Sequence, residues 1–316
     1  MGLVTLKQIA DATGASIRTV NRALKGQSGI SSKRSGEILA VAAKLGYTPN
    51  IAARNLRLKR SDFVGIVGRS SIDSVFTRKV SGLQRRLAED GYYPVMGLLP
   101  ETAEELRSML LEWAGFVSTV VFFAWLNRER EGVLDNLPQQ FIFVDRTVSG
   151  NPGHHLAVDR STGIFEGICC LRDSGRKKIA RCGSISTREV GWKKAFDSFT
   201  EEMPGQIFLA TEESGFFDGY ACGHRLVEAG VDAVFFDTDR MAFGFLKYAW
   251  ENNLKVPEDI AVIGFDDDPW CMQSCPALST VAHPITEMNE KIVELIAGDQ
   301  TGDFTFTTRF IQRESV

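Results

Sequence analysis

The chain has 316 residues, 44% hydrophobic and 24% charged, the balance of an ordinary soluble globular protein with room for two or three folding units. Its net charge of −4 would argue against a nucleic-acid partner, but the charge is unevenly divided: residues 1–61 carry eleven Lys or Arg against Asp11 and Glu37, a surplus of +9 that leaves −13 on the rest. The longest apolar run, ten residues from Val117 to Leu126, is too short to span a bilayer, and six cysteines without CxxC spacing or a secretory signal read as reduced cytoplasmic thiols, not as a disulfide framework or a zinc corner at Cys271 and Cys275.

The basic head reads as three short helices. Thr5 with Gln8 forms a capping box that starts a helix at Leu6, whose Leu6, Ile9, Ala10 and Thr13 share one face before Gly14 ends it. Ser16 caps a second helix with Val20, Ala23 and Leu24 inward and Ile17, Arg18, Asn21 and Arg22 outward. Ser31 or Ser32 caps a third, with Ile38, Val41, Ala42 and Leu45 at i, i+3, i+4 and i+7, and Gly46 ends it. Helix, tight turn, helix, with a polar second helix in a strongly positive segment, points to DNA. A basic stretch kept for solubility would need none of the apolar periodicity. After Pro49, the segment Ile51–Leu58 is too short to be a stable helix alone and needs a partner to order it.

From Phe63 the pattern becomes short apolar strands alternating with amphipathic helices. Strands are predicted at Phe63–Val67, Tyr93–Leu98, Val117–Phe123, Gln140–Val144, Leu156–Val158, Ile179–Cys182, Ile207–Ala210, Ala233–Phe236, Ile260–Gly264 and Thr305–Ile311. Helices are predicted at Arg78–Asp90, Ala103–Ala114, Ser161–Asp173, Val190–Phe199, Gly219–Glu228, Arg240–Asn252 and Thr286–Ala297. About ten strands alternating with helices imply two parallel sheets, each covered on both faces, with ligands outside the carboxyl ends of the strands.

Several stretches resemble the LacI/GalR family of bacterial repressors. They are Thr5-Leu6-Lys7-Gln8-Ile9-Ala10, Thr19-Val20-Asn21-Arg22-Ala23-Leu24, Leu45-Gly46-Tyr47-Thr48-Pro49-Asn50 and Ala52-Ala53-Arg54-Asn55-Leu56 in the head. In the body they are Phe143-Val144-Asp145-Arg146, the run Val256–Asp267 and Arg313-Glu314-Ser315. The resemblance implies an all-α helix-turn-helix head on an α/β effector domain of two parallel-sheet, periplasmic-binding-protein-like subdomains. The expected boundaries are 1–49 for the head, 50–60 for a hinge helix and 61–316 for the body. Within the body, 61–158 plus 284–302 would form one subdomain and 159–283 plus 303–316 the other.

The resemblance also implies a cytoplasmic, nucleoid-associated homodimer, one head per half-site of a near-palindromic operator in double-stranded DNA. Ile17, Arg18 and Arg22 would touch base edges in the major groove, Arg22 gripping guanine and Ile17 offering apolar contact. Ser16, Thr19, Asn21, Ser31 and Asn50 would hold phosphates. Leu56 would wedge into the minor groove, with Ala53 letting the two hinge helices approach. A small-molecule effector, a sugar, sugar derivative or nucleobase, would sit in the cleft on Asp145, Arg188, Asp266 and Thr238 and bias the closure of the subdomains. Thr238 replaces the family's usual Asn, Ser70–Phe76 replaces its Asn-Pro-Phe-Phe, and Phe216 or Phe217 are candidates for a stacking ring.

No cofactor, metal or membrane partner is expected, and no leucine heptad follows the last predicted strand, which favours a dimer over a tetramer. Two alternatives stand beside this reading. One is a DNA-binding regulator whose small-molecule control is altered or lost. The remote one is an enzyme with a DNA-binding head, whose only sequence support is Gly65-x-x-Gly68, a weak echo of a phosphate loop.

Overall fold

The computed structural model describes residues 4–24, 26–47, 61–69, 74–145, 153–184, 188–198, 205–298 and 302–316. The segment 50–60 assigned to the hinge, with Asn50, Ala53 and Leu56, lies outside them. Two units divide the chain, Met1–Ser61 and Asp62–Val316.

In the first unit, α1 (Leu6–Thr13) opens with the capping box: Thr5 Oγ1 accepts from the Gln8 N–H, and Gln8 Oε1 accepts from the Thr5 N–H at 2.8 Å. It closes on Gly14 in the left-handed region, φ 61°. Helix α2 spans Ile17–Leu24, and α3 spans Ser32–Leu45 with the Ser31 side chain as its cap. Their inward faces bring Ile9, Ala10, Val20, Ala23, Ile38 and Ala42 together. The three fully buried aliphatic side chains, Ile9, Val20 and Ile38, are each worth about 1.5–3 kcal/mol over an exposed position. Leu45 falls outside this core and is exposed, a correction to the predicted stripe: the turn at Gly46 brings Tyr47 in against the core instead. Arg34 ties α3 to the end of α1 by donating to the Thr13 carbonyl at 2.7 Å.

The second unit holds two six-stranded sheets of matching plan. The first has the order β11-β5-β4-β3-β1-β2, with β1 Phe63–Gly68, β2 Tyr93–Leu98, β3 Val117–Phe123, β4 Gln140–Val144, β5 His154–Asp159 and β11 Phe304–Thr307. The second has β12-β10-β9-β8-β6-β7, with β6 Lys178–Gly183, β7 Gly205–Ala210, β8 Ala233–Phe236, β9 Ala261–Asp266, β10 Ser279–Ala282 and β12 Arg309–Ile311. Every pairing is parallel except that of β12 with β10, so the expectation of wholly parallel sheets is corrected at that edge.

The helices are α4 (Ser74–Glu89), α5 (Ala103–Trp113), α6 (Arg128–Gly132), α7 (Ser161–Asp173), α8 (Glu189–Ser198), α9 (Phe216–Glu228), α10 (Asp239–Glu251) and α11 (Ile285–Ala297). Each sheet is packed on both faces. Cores around Leu83 and Ile292 and around Leu106 and Phe122 flank the first. Cores around Phe245 and Leu226 and around Ile164 and Ile168 flank the second.

The predicted strand Thr305–Ile311 is two strands, one in each sheet, so the subdomain break placed at 303 moves to Thr308. No Gly, Pro or polar turn marks this crossing, so it reads as one continuous β run. Thr308 is buried and bonded into the first crossing: its N–H donates to the Asp159 carbonyl at 3.0 Å, and its Oγ1 accepts from the Gly163 N–H at 3.3 Å. The Asp159 carboxylate accepts from the Ser161 N–H and hydroxyl, which starts α7. Strand β10 escaped the sequence reading because four residues between Pro276 and Pro284 carry too little periodicity. Among the described residues no helix is long and apolar enough to cross a membrane.

Candidate functional site

Two places gather polar groups that the fold itself does not need. The first is the outward side of α2. With Val20 and Ala23 committed to the core, helical geometry turns Ile17, Arg18 and Arg22 outward, and all three are exposed; Ile17 is 49% accessible, unusual for so apolar a side chain on a short helix. Asn21 and Thr19 are half-buried, so Asn21 is less outward than predicted. Ser16 Oγ accepts from the Thr19 N–H at 3.1 Å and lies 2.8 Å from the Thr19 hydroxyl. Ser31 Oγ accepts from the Arg34 N–H at 3.3 Å. Capping uses the acceptor side of each serine, and a hydroxyl carries a donor as well. Both serines therefore present O–H groups beside helix N-termini, an arrangement that suits phosphate. The Arg22 guanidinium passes over Gly29, where a Cβ would lie 3.5 Å from it.

The second place is a cavity of about 200 Å³ in the larger unit, lined from both sheets at their carboxyl ends. Asp145 follows β4, Arg160 follows β5, Asp266 ends β9 and His283 follows β10. Asp145, Asp266 and Asp267 all have positive φ, at 66°, 117° and 53°. Such backbone is uncommon outside Gly, and it aims these carboxylates off the strand ends instead of along a sheet face.

The charges are densely paired. Asp145 accepts from Lys79 Nζ at 2.9 Å and from Arg160 Nη2 at 2.6 and 2.7 Å. Burial alone would raise its carboxyl, but the two cations outweigh burial and hold it well below the usual carboxylate range. Asp266 Oδ1 accepts from Arg188 Nη2 at 3.0 Å and lies 3.4 Å from His283 Nε2. Arg188 is buried, with its guanidinium 4.0 Å above the Phe265 ring. Burial, reinforced by the charge of Lys79, pushes His283 down to about 4 despite the nearby carboxylate, so this imidazole is neutral at pH 7. Arg78, on α4 of the first subdomain, donates to the carbonyls of Asp266 and Asp267 in the second.

Of the four predicted effector contacts, Asp145, Arg188 and Asp266 line this cavity and Thr238 does not. Thr238 is corrected to a structural role. Its hydroxyl caps α10 by accepting from the Met241 N–H and donates to the Ser214 carbonyl at 2.7 Å. The stacking ring is also reassigned: Phe217 is 84% exposed, and the aromatic walls come from Phe76, Phe123 and Trp125.

Lys79, Arg160 and His283 were missed in the sequence. Lys79 did leave a signal, because it sits on the apolar stripe of α4 with Val75, Val80, Leu83 and Leu87, where a lysine is out of place. His283 was hidden with β10. Behind the cavity, Arg181 and Asp237 form a buried two-point ion pair at 2.9 and 3.0 Å. Among the described residues no cluster of His, Cys, Asp and Glu is placed to hold a metal ion, and all six cysteines are free thiols.

Residues 5–50 match the sequence profile of the bacterial regulatory proteins, lacI family, and residues 170–316 that of the periplasmic binding protein-like domain. The HTH-type transcriptional regulator AscG of Escherichia coli (strain K12) is 27% identical over 332 residues, covering 99% of this chain and 98% of that one. The fold matches the Lac repressor dimer bound to operator and the anti-inducer ONPF, with a TM-score of 0.81 at 21% identity over 99% of both chains. It also matches a LacI family transcriptional regulator from Enterococcus faecium with bound ribose, with a TM-score of 0.70 at 21% identity over 80% of this chain and 98% of that one. The chain is a DNA-binding transcription regulator of the lacI family, with a helix-turn-helix head and a periplasmic-binding-protein-like body.

Proposed function

We propose that the chain is a cytoplasmic repressor that binds a near-palindromic operator as a homodimer and is released or engaged by a small molecule in the cleft of its body. The domain limits 1–49, 50–60 and 61–316 belong to this reading, with the inter-sheet break at Thr308. Ile17, Arg18 and Arg22 read base edges in the major groove, where Arg22 forms the two-point contact with guanine. Ser16, Thr19, Asn21, Ser31 and Asn50 fix the register on phosphates. Ala53 and Leu56 act in the minor groove between half-sites. The observation that carries the DNA half is α2: its apolar face is spent on the core, and its other face offers Ile17, Arg18 and Arg22 to the outside.

For the effector half, the convergence of Asp145, Arg188 and Asp266 from two sheets on one cavity supports a polar ligand of sugar size. A ligand there touches both subdomains and so biases their closure. The bound ribose of the Enterococcus faecium relative is in keeping with this. A second reading, DNA binding without small-molecule control, draws on the self-paired state of the cleft and on the commitment of Thr238 to helix capping.

Selection of bound sites from random DNA by the full-length protein, with and without candidate ligands, tests both halves. The expected result is a palindromic consensus whose recovery changes with one ligand class. Recovery of DNA without a consensus would overturn base reading. A consensus indifferent to every ligand that raises the melting temperature would favour the second reading.

A further inference from the structure

The cleft is crowded with charge, and most of that charge is paired within it. Asp145 has both oxygens engaged by Lys79 and Arg160, so it serves to hold two cations in place. Asp266 is occupied by Arg188 and approached by His283. Among the described residues, Nε and Nη1 of Arg188 on the cavity wall are buried without a hydrogen-bond partner, and so is one imidazole nitrogen, Nδ1 of His283. Arg188 is 5% exposed, and a guanidinium has donors only and stays protonated. A buried donor left unmet costs about 1–3 kcal/mol, more when it is charged. His283 is neutral and directs Nε2 toward Asp266, so its Nδ1 is left as an acceptor.

Three cations, Lys79, Arg160 and Arg188, therefore face two carboxylates across this cavity among the described lining residues, leaving a surplus of one positive charge. A neutral sugar supplies hydroxyls to such a site but leaves the surplus in place. An oxyanion cancels it, and its oxygens accept charge-assisted hydrogen bonds from a guanidinium. The volume, about 200 Å³, lies below the roughly 300–1,000 Å³ usual for drug-sized ligands and admits one small molecule.

We infer that the effector is a small polyhydroxylated anion whose carboxylate or phosphate accepts from Nη1 of Arg188 while one of its hydroxyls donates to His283 Nδ1. This rests on the effector reading above and narrows it to a charge class. Lys79 and Arg160, held by Asp145, set the field that admits the anion.

Calorimetric titration of the full-length protein with pairs matched except for charge tests the inference: gluconate against glucitol, galacturonate against galactose, and glucose 6-phosphate against glucose. At least one anion is expected to bind ten times or more tightly than its neutral twin, and to weaken as sodium chloride is raised. The carboxylate and phosphate arms separate the two sources of the oxyanion. Arg188→Lys keeps the charge but loses the fixed directions of the guanidinium N–H groups. It should cost that anion tenfold or more, and cost it more than it costs the neutral twin. Neutral twins binding as tightly as the anions overturn the inference and leave the effector reading intact. Binding by none of the anions also overturns it, and silence from the neutral compounds as well removes the effector reading too. The wild-type comparison needs no variant, so a poorly folding Arg188→Lys does not shelter the proposal.

Discussion

In the head, Arg18 and Arg22 stand exposed on a helix of eight residues, and the ion pair described there, Arg34 with Glu37, is a half-exposed one on a different helix. In the body, Lys79, Arg181 and Arg188 are buried, each within 3.0 Å of a carboxylate oxygen. The same residue types thus do opposite work. Exposed cations keep their hydration until a polyanion displaces it, and they contribute almost nothing to folding. Buried cations must be matched inside the protein, so each one constrains its carboxylate and the strand end that carries it. Damage to the head should therefore appear in DNA binding, and damage to the cleft in stability and ligand response.

The hardest test of that division is Gly244→Ala. Helices α9 and α10 touch through Gly219 and Gly244, and a Cβ on Gly244 would lie 1.9 Å from the Phe216 carbonyl oxygen. The body should lose about 3 kcal/mol, since helix backbones must separate to admit the methyl group. Calorimetry should show its transition falling while that of the head stays; joint movement would break the comparison. Asp145→Asn should cost the body about 2 kcal/mol by stranding Lys79 and Arg160. This is less than for a fully buried pair, because the Asp145 side chain is 23% exposed.

Arg22→Ala reverses the pattern. Stability should hardly move, whereas operator affinity should fall by about 2 kcal/mol per half-site and discrimination against random DNA should collapse. Equal loss on operator and random DNA would reduce Arg22 to a phosphate contact.

Proton linkage gives a further test within the body. Burial and the charge of Asp266 push Asp239 up to about 7, against donations from Thr280 and Asp268. The native state keeps this proton between the ordinary carboxyl value of 3.8 and about 7, where the unfolded chain has lost it. The stability it confers is full below 3.8 and is lost as the pH rises through 7. His283 acts oppositely: its contribution is present above 6.5 and is lost as the pH falls through about 4. Denaturant titrations of Asp239→Asn beside the wild type should isolate the first effect as a change of slope across that window; matching slopes would place the Asp239 proton elsewhere. The mildest change is Thr5→Ala, which should lower the head transition by about 1 kcal/mol through loss of the capping box and leave the body untouched.

How far the sequence reached differs between the same two regions. The head was readable because its signals are local: Thr5 and Gln8, Gly14, Ser31 and Gly46 each act within one helical turn. In the body most strands and helices were readable from periodicity, whereas Asp145, Arg188 and Asp266 were named from the family resemblance and the structure places them on one cavity. What escaped depended on neighbours distant in the chain. Lys79 meets Asp145 across 66 positions, and Arg188 meets Asp266 across 78. Thr238 and Phe217 were misplaced because motif position alone does not say which way a loop turns.

By itself, then, the sequence determined the order of elements, the basic head with its outward Ile17, Arg18 and Arg22, and the acidic two-sheet body. These follow from charge count, capping and periodicity, which operate over a few residues. Only the tertiary structure decided that Thr308, not residue 303, divides the sheets. It alone decided that Asp145 is saturated by Lys79 and Arg160, and that the donors left over belong to Arg188. Those outcomes depend on which strand ends converge, and convergence is settled by packing two sheets, not by any local preference of the residues that meet there.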